Sequence, residues 1–122
     1  MARGRVRVVV GVEGVDAMTA ELVRRMGAAR AAAEEQLGRE AKAVADDMRR
    51  NAPRRTGELR RGIVWEHRGD EAVVSSTARH SRFIEFGTRK VPRRPYVRPA
   101  ALRSERRLPK RISTAVREVA EG

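Results

Sequence analysis

The residues of this chain that could do chemistry are mostly arginines. There are 25 of them beside three lysines, Lys42, Lys90 and Lys110. Two stretches concentrate them. One is a corner holding Arg49, Arg50, Arg54, Arg55, Arg60 and Arg61; the other holds Arg89, Lys90, Arg93, Arg94 and Arg98, with no acid from Thr88 to Arg98. The chemistry such residues offer is anion recognition, because the planar guanidinium pairs bidentately with carboxylates and phosphates. Catalytic patterns do not emerge. His67 and His80 have no cysteine companions and no metal-binding helical spacing. His80 and Glu85, five residues apart, are poorly aligned as an acid–base pair, and Glu85 is expected to partner a nearby arginine. Asp46 and Asp47 are adjacent on a predicted helix and point apart, which is wrong for a metal-dependent nuclease. Gly11 and Gly14 follow a predicted strand without the rest of a phosphate-binding fingerprint. The few serines lack a nucleophile-elbow context. We therefore expect no catalytic residue, no cofactor and no metal.

The charge is lopsided. Residues 1–48 hold 8 basic and 8 acidic side chains, so the net charge of +12 belongs to residues 49–122. A field of that size opposes self-association unless something acidic answers it, and it favours an acidic protein or a nucleic acid as partner. Abundant arginine and alanine also fit a GC-rich genome, but that does not explain why acids fall behind only after Met48.

The elements that must position these cations are legible in outline. At 122 residues the chain is expected to be one domain over residues 1–122. Aromatics make up 3%, so the core must be aliphatic, and there is no cysteine for disulfides. No apolar run is long enough to cross a membrane, and no secretion signal is visible, so a product made in the cytoplasm is expected. Val6, Val8 and Val10 alternate as one face of a strand. Asp16 is a plausible N-cap for a helix from about Ala17 to Arg50. Leu22, Ala33 and Val44 are eleven residues apart, as are Met26, Leu37 and Met48, so one face stays aligned along a rod of roughly 50 Å. Gly27 and Gly38 are its weak points. Pro53 ends it, and Thr56 can cap a short turn around Leu59. Ile63 to His67 and Ala72 to Ser76 form a hairpin about Arg68-Gly69-Asp70-Glu71. Ser76 or Thr77 can cap a short helix in which Phe83 and Phe86 face the core. Trp65, Phe83 and Phe86 are expected as core anchors.

Gly87 ends that turn, and Pro92, Pro95 and Pro99 keep the backbone from Thr88 to Arg98 out of helix. We read residues 88–98 as a stiff, extended basic arm that contacts a neighbour. Its contact residues are Arg89, Lys90, Arg93, Arg94, Tyr96 and Arg98, with Arg54 and Arg55 of the earlier corner as the other half of the surface. Pro99 suits the first position of a C-terminal helix, which Pro109 is expected to kink or split. The fold class is α+β: a small antiparallel sheet, made of the N-terminal strand plus the hairpin, packed against one long helix, with a C-terminal helix.

Two motifs carry a resemblance. Phe83-Ile84-Glu85-Phe86-Gly87-Thr88-Arg89-Lys90, followed by Arg94-Pro95-Tyr96-Val97-Arg98-Pro99-Ala100, resembles the signature of a family of tailed-phage head–tail joining, tail-completion or minor tail components. Asn51-Ala52-Pro53-Arg54-Arg55-Thr56-Gly57-Glu58-Leu59-Arg60-Arg61-Gly62-Ile63 resembles the same family's earlier motif. The resemblance implies a structural virion protein at the neck or the top of the tail. It implies a homo-oligomer, a hexameric ring around the channel that DNA passes through, with other neck and tail proteins as partners. The competing expectation is a basic nucleic-acid-binding module. The charge supports it, but Tyr96 alone is interleaved with the cations as a stacking platform.

Overall fold

The computed structural model describes residues 5–54 and 57–122. Its order is β1 (Val6–Gly11), α1 (Ala17–Arg25), α2 (Gly27–Asn51), α3 (Glu58–Arg61), β2 (Ile63–Arg68), β3 (Glu71–Ser76), α4 (Ser81–Phe86) and α5 (Val97–Glu121). The strands form one antiparallel sheet in the order β1-β3-β2. Val8 sits opposite Val74, which sits opposite Trp65. The α+β architecture expected from the pattern is therefore the one observed, with α2 across the sheet and α5 beside it, reaching β1.

The core follows from two periodicities. Val10, Ala72, Val74 and Ile63 come from alternate strand positions on one face. Ala33, Leu37, Ala41, Val44 and Met48 of α2 lie under 2% exposed against them, and Leu108, Ile112 and Val116 of α5 complete the layer. Alanine is frequent at the helix contacts, which lets the backbones approach closely.

One long rod was expected from Ala17 to Arg50, and the chain instead breaks at Met26. That residue is extended (φ −113°, ψ 120°) between two helices. The break falls beside Gly27, one of the two weak points. It lets α1 turn back onto α5, where the Thr19 hydroxyl lies 3.3 Å from that of Ser113. Gly38 is not a break: His67 packs over it, and an added Cβ would lie 3.0 Å from the ring. Asp16 caps α1 as expected, its carboxylate accepting from the Thr19 N–H at 2.8 Å. Thr56, proposed as a cap, lies outside the described residues.

The second departure is at Pro109. α5 runs through it without interruption for 25 residues. The ring faces Gly14, whose backbone is left-handed (φ +87°), so proline fills the space beside the β1–α1 turn. The helix also starts at Val97, two residues before Pro99.

Acids on α2 hold arginines on α5. Glu40 and Asp47, two turns apart, are 1% and 4% exposed. Asp47 takes a bidentate pair from Arg103, at 2.7 Å to Nε and 2.5 Å to Nη2. Glu40 accepts from Arg107 through Nε and Nη2, with Arg111 at 3.6 Å. Hydrogen bonds from Arg103 hold the Asp47 carboxyl below its ordinary range. A depressed carboxylate stabilises the fold above its unfolded pKa, near 4, and that contribution fades as the pH falls through the folded value. We expect Asp47→Asn to lower the thermal midpoint at neutral pH, and the gap between the two proteins to narrow as the pH falls below about 4 and on through the folded value. A gap that stays constant through the whole acid range in which the fold survives would rule out the ionic contribution.

Candidate interaction surface

The cationic loop begins at α4, and α4 is inside out relative to its apolar spacing. Its buried residues are Ser81 and Glu85, while Phe83 and Phe86 are 58% and 59% exposed. Both were expected as core anchors, and the structure places both in solvent. Tyr96, expected at a partner surface, is fully buried, its hydroxyl 2.5 Å from that of Ser76, which also meets Ser81 at 2.9 Å. The expected cap from Ser76 or Thr77 is absent: His80 precedes α4 without a side-chain cap, and Ser76 instead anchors this hydroxyl cluster. Trp65 is a third correction. It shares the face of Ile63 but lies on an edge strand, and 40% of it remains exposed.

Glu85 explains the inversion. Its carboxylate accepts the backbone N–H groups of Tyr96 and Val97, both at 2.9 Å, and of Arg98 at 2.8 Å. These are the orphan donors at the start of α5, and Pro99 next in line has none to offer. Tyr96 itself supplies no capping side chain. A carboxylate from α4 thus caps α5 from a distance and complements its dipole. The arginine partner expected for Glu85 is not what it has.

The intervening loop is folded back rather than extended. The Thr88 N–H donates to the Val91 carbonyl at 2.9 Å, and the Arg94 N–H to the Ile84 carbonyl at 2.8 Å. The Thr88 hydroxyl accepts from Val91 N–H at 3.0 Å. Gly87 permits the fold-back: its φ is +77°, and an added Cβ would lie 2.9 Å from the Arg93 nitrogen. The stiff projecting arm is therefore corrected to a closed, braced loop.

What the loop presents outward is still cationic. Thr88 to Pro95 are all exposed, as is Arg98. Arg89, Lys90, Arg93, Arg94 and Arg98 form no ion pair among the described residues, whereas Arg103, Arg107 and Arg111 all do. Phe86, Arg93, Pro95, Arg98 and Leu102 border a shallow hollow of about 370 Å³. The earlier corner is split by use. Arg49 turns inward, donating to the Ile63 carbonyl at 2.9 Å and pairing with Asp46. Arg54 is exposed, and Arg55 lies outside the described residues. α3 sits at the same end of the sheet as α4, because Gly62 packs so closely on Ala78 that a Cβ would meet its nitrogen at 2.8 Å.

Nothing at these positions resembles a reaction centre. Glu85 is consumed by backbone donors, and the His67 Nε2 lies 2.8 Å from the Gly69 carbonyl oxygen. Among the described residues no group of three or more metal-ligating side chains converges. Among the described residues no helix is long and apolar enough to cross a membrane.

Two signals for this surface were present in the sequence. Phe83 and Phe86, three apart on a six-residue helix, share one face, and Ile84, the other apolar residue of the helix, lies off that face and packs against the core. The start of α5 also lacks a local Ser, Thr, Asp or Asn cap, which calls for a distant acceptor.

Residues 16–87, more than half of the chain, fit the family described as "Bacteriophage HK97-gp10, putative tail-component". No curated protein and no solved structure matches the chain.

Proposed function

We propose that this chain, which belongs to the HK97-gp10-like family of phage tail components, is a non-enzymatic ring subunit at the head–tail neck or the top of the tail. In this reading it joins head to tail and surrounds the channel that DNA passes through. One observation carries the contact role. Among the described residues, every cation of the 88–98 loop lacks an acid partner, while Arg103, Arg107 and Arg111 further along α5 are matched. Such matching inside and lack of it outside is what a subunit held by its partners requires. Protein contacts are favoured over DNA, because cations facing a conduit would retard the DNA through phosphate attraction.

The test is charge reversal. We expect Arg93→Glu with Arg94→Glu to leave the circular dichroism and thermal midpoint near wild type, since both side chains are exposed. Joining of heads to tails should be lost. Normal particles from the variant would discard the contact role.

The nucleic-acid reading gains one observation, since Phe83 and Phe86 stand exposed beside the cations and could stack on bases. Duplex and single-strand binding titrated against salt decides it. A slope reporting several released counterions would favour that reading.

A further inference from the structure

The unpaired cations at one end of the molecule are answered by unpaired acids at the other. α4 and the basic loop lie beyond Ser76, the last residue of β3. The opposite end of β3 begins at the Gly69–Asp70 turn, about 17 Å away over the length of the strand. There a cavity of about 460 Å³ opens between α1, α2 and the turn. Val12, Val15, Val23 and Ala33 give it apolar walls, and Glu34 and Asp70 stand at its edge. Neither carboxylate has an ion pair among the described residues. Arg24 and Arg30 also line the cavity: Arg24 pairs with Glu21, and Arg30 donates to the Arg24 carbonyl at 3.3 Å and has no acid partner among the described residues.

We propose that these two ends meet in trans, so that Phe83 and Phe86 of one copy seat in the cavity of the next while Arg93 and Arg94 face Glu34 and Asp70. The occupant is a second copy of this chain. Exposed aromatics beside cations are the usual make-up of an interface anchor, and an apolar cavity with acidic edges is its complement in both respects. The charge balance also answers the repulsion that +12 imposes on self-association. Because the two surfaces differ, the contact is heterologous and repeats from copy to copy, closing into a ring or running on as a filament. The proposal rests on the reading of the chain as an assembling tail component and assigns the surfaces that assemble.

The experiment uses full-length chains in sedimentation velocity. One variant loses the anchor (Phe83→Asp with Phe86→Asp), and the other loses the acidic edge (Glu34→Arg with Asp70→Arg). All four positions are on the surface or partly exposed, and circular dichroism confirms each fold. Wild type should sediment as an oligomer, and each variant alone as a monomer. An equal mixture should give dimers and nothing larger, because only one intact junction remains. As a second measurement, Phe86→Cys and Asp70→Cys, in a chain with no native cysteine, should cross-link to each other and not to themselves. A monomeric wild type, an acidic-edge variant that assembles normally, or a mixture without dimers would overturn the proposal. A monomeric wild type that binds single-stranded DNA through the two phenylalanines would reassign the surface to nucleic acid. Loss of head–tail joining in the Arg93, Arg94 variant alongside any of these failures would leave the tail reading standing and sink only this one.

Discussion

Glu85→Ala should lower the unfolding free energy by about 3 kcal/mol, one of the two largest losses expected from a single side chain here. The reasoning is a count of donors. Three backbone N–H groups converge on this carboxylate, and it is 3% exposed. Alanine leaves them without an acceptor where water enters poorly, and each unsatisfied buried group costs roughly 1–3 kcal/mol. Partial fraying of the first turn of α5 would recover some of that loss. Glu85→Gln keeps one accepting oxygen but puts an amide NH2 where the other accepted, and drops the charge at the helix N-terminus, so its cost should fall between, at about 2 kcal/mol. Phe83→Ala and Phe86→Ala should each change stability by only about 0.5 kcal/mol, because both rings are exposed. Urea unfolding of the four variants checks the ranking. If both phenylalanine variants cost more than Glu85→Ala, the capping account is wrong. The functional consequence follows from position. Glu85 ties α4 to α5 across the ends of the basic loop, so its loss should misplace Arg93 and Arg94 before the protein unfolds.

That residue also shows where reading the sequence stops working. Strands and long helices announce themselves because many positions vote together: Val6, Val8 and Val10 fix one face of β1, and of the apolar run Leu102, Leu108, Ile112, Val116 and Val119 the middle three fix the buried face of α5 while the outer two are exposed. A six-residue helix casts too few votes. In α4 the apolar residues looked like the inward face, yet the deciding demand came from elsewhere, from the uncapped start of α5. Once Glu85 turned inward to meet it, Phe83 and Phe86 were carried outward by the helical period. Tyr96 then took the core place they were assigned, with Ser76 as its polar partner and Ser81 in turn meeting Ser76. The break at Met26 is a similar case. The eleven-residue spacing fits a continuous rod, and local pattern holds no record of the contact between α1 and α5. Of the candidate surface, the cations and their lack of neighbouring acids were legible, because charge along a chain needs no geometry. The fold-back of the loop depends on the Arg94–Ile84 hydrogen bond, and no spacing rule reports it.

Arg107→Met should destabilise the protein by about 3 kcal/mol, whereas Glu40→Leu combined with Arg107→Met should fall within about 1 kcal/mol of wild type. The asymmetry comes from burial. Glu40 is 1% exposed, so removing its main partner strands a carboxylate with only Arg111 at 3.6 Å. Removing both charges strands nothing, and the gap between α2 and α5 is refilled with apolar volume. Arg111, half exposed, then turns to solvent at little cost. A double-mutant cycle in guanidinium measures the coupling directly. Additive single-site losses would show that the pair is two independent contacts rather than one unit. If the double variant is indeed as stable as wild type, the ion pair must contribute something other than stability. Its place suggests what: with Asp47–Arg103 it pins two antiparallel helices at two points, two turns apart, and alanine-rich surfaces alone would define that register weakly. A slipped α5 would carry its own N-terminus, and with it the capped loop, away from the position that the proposed partner contact requires. The double variant should therefore unfold like wild type and yet join heads to tails poorly, which separates the two roles in one protein.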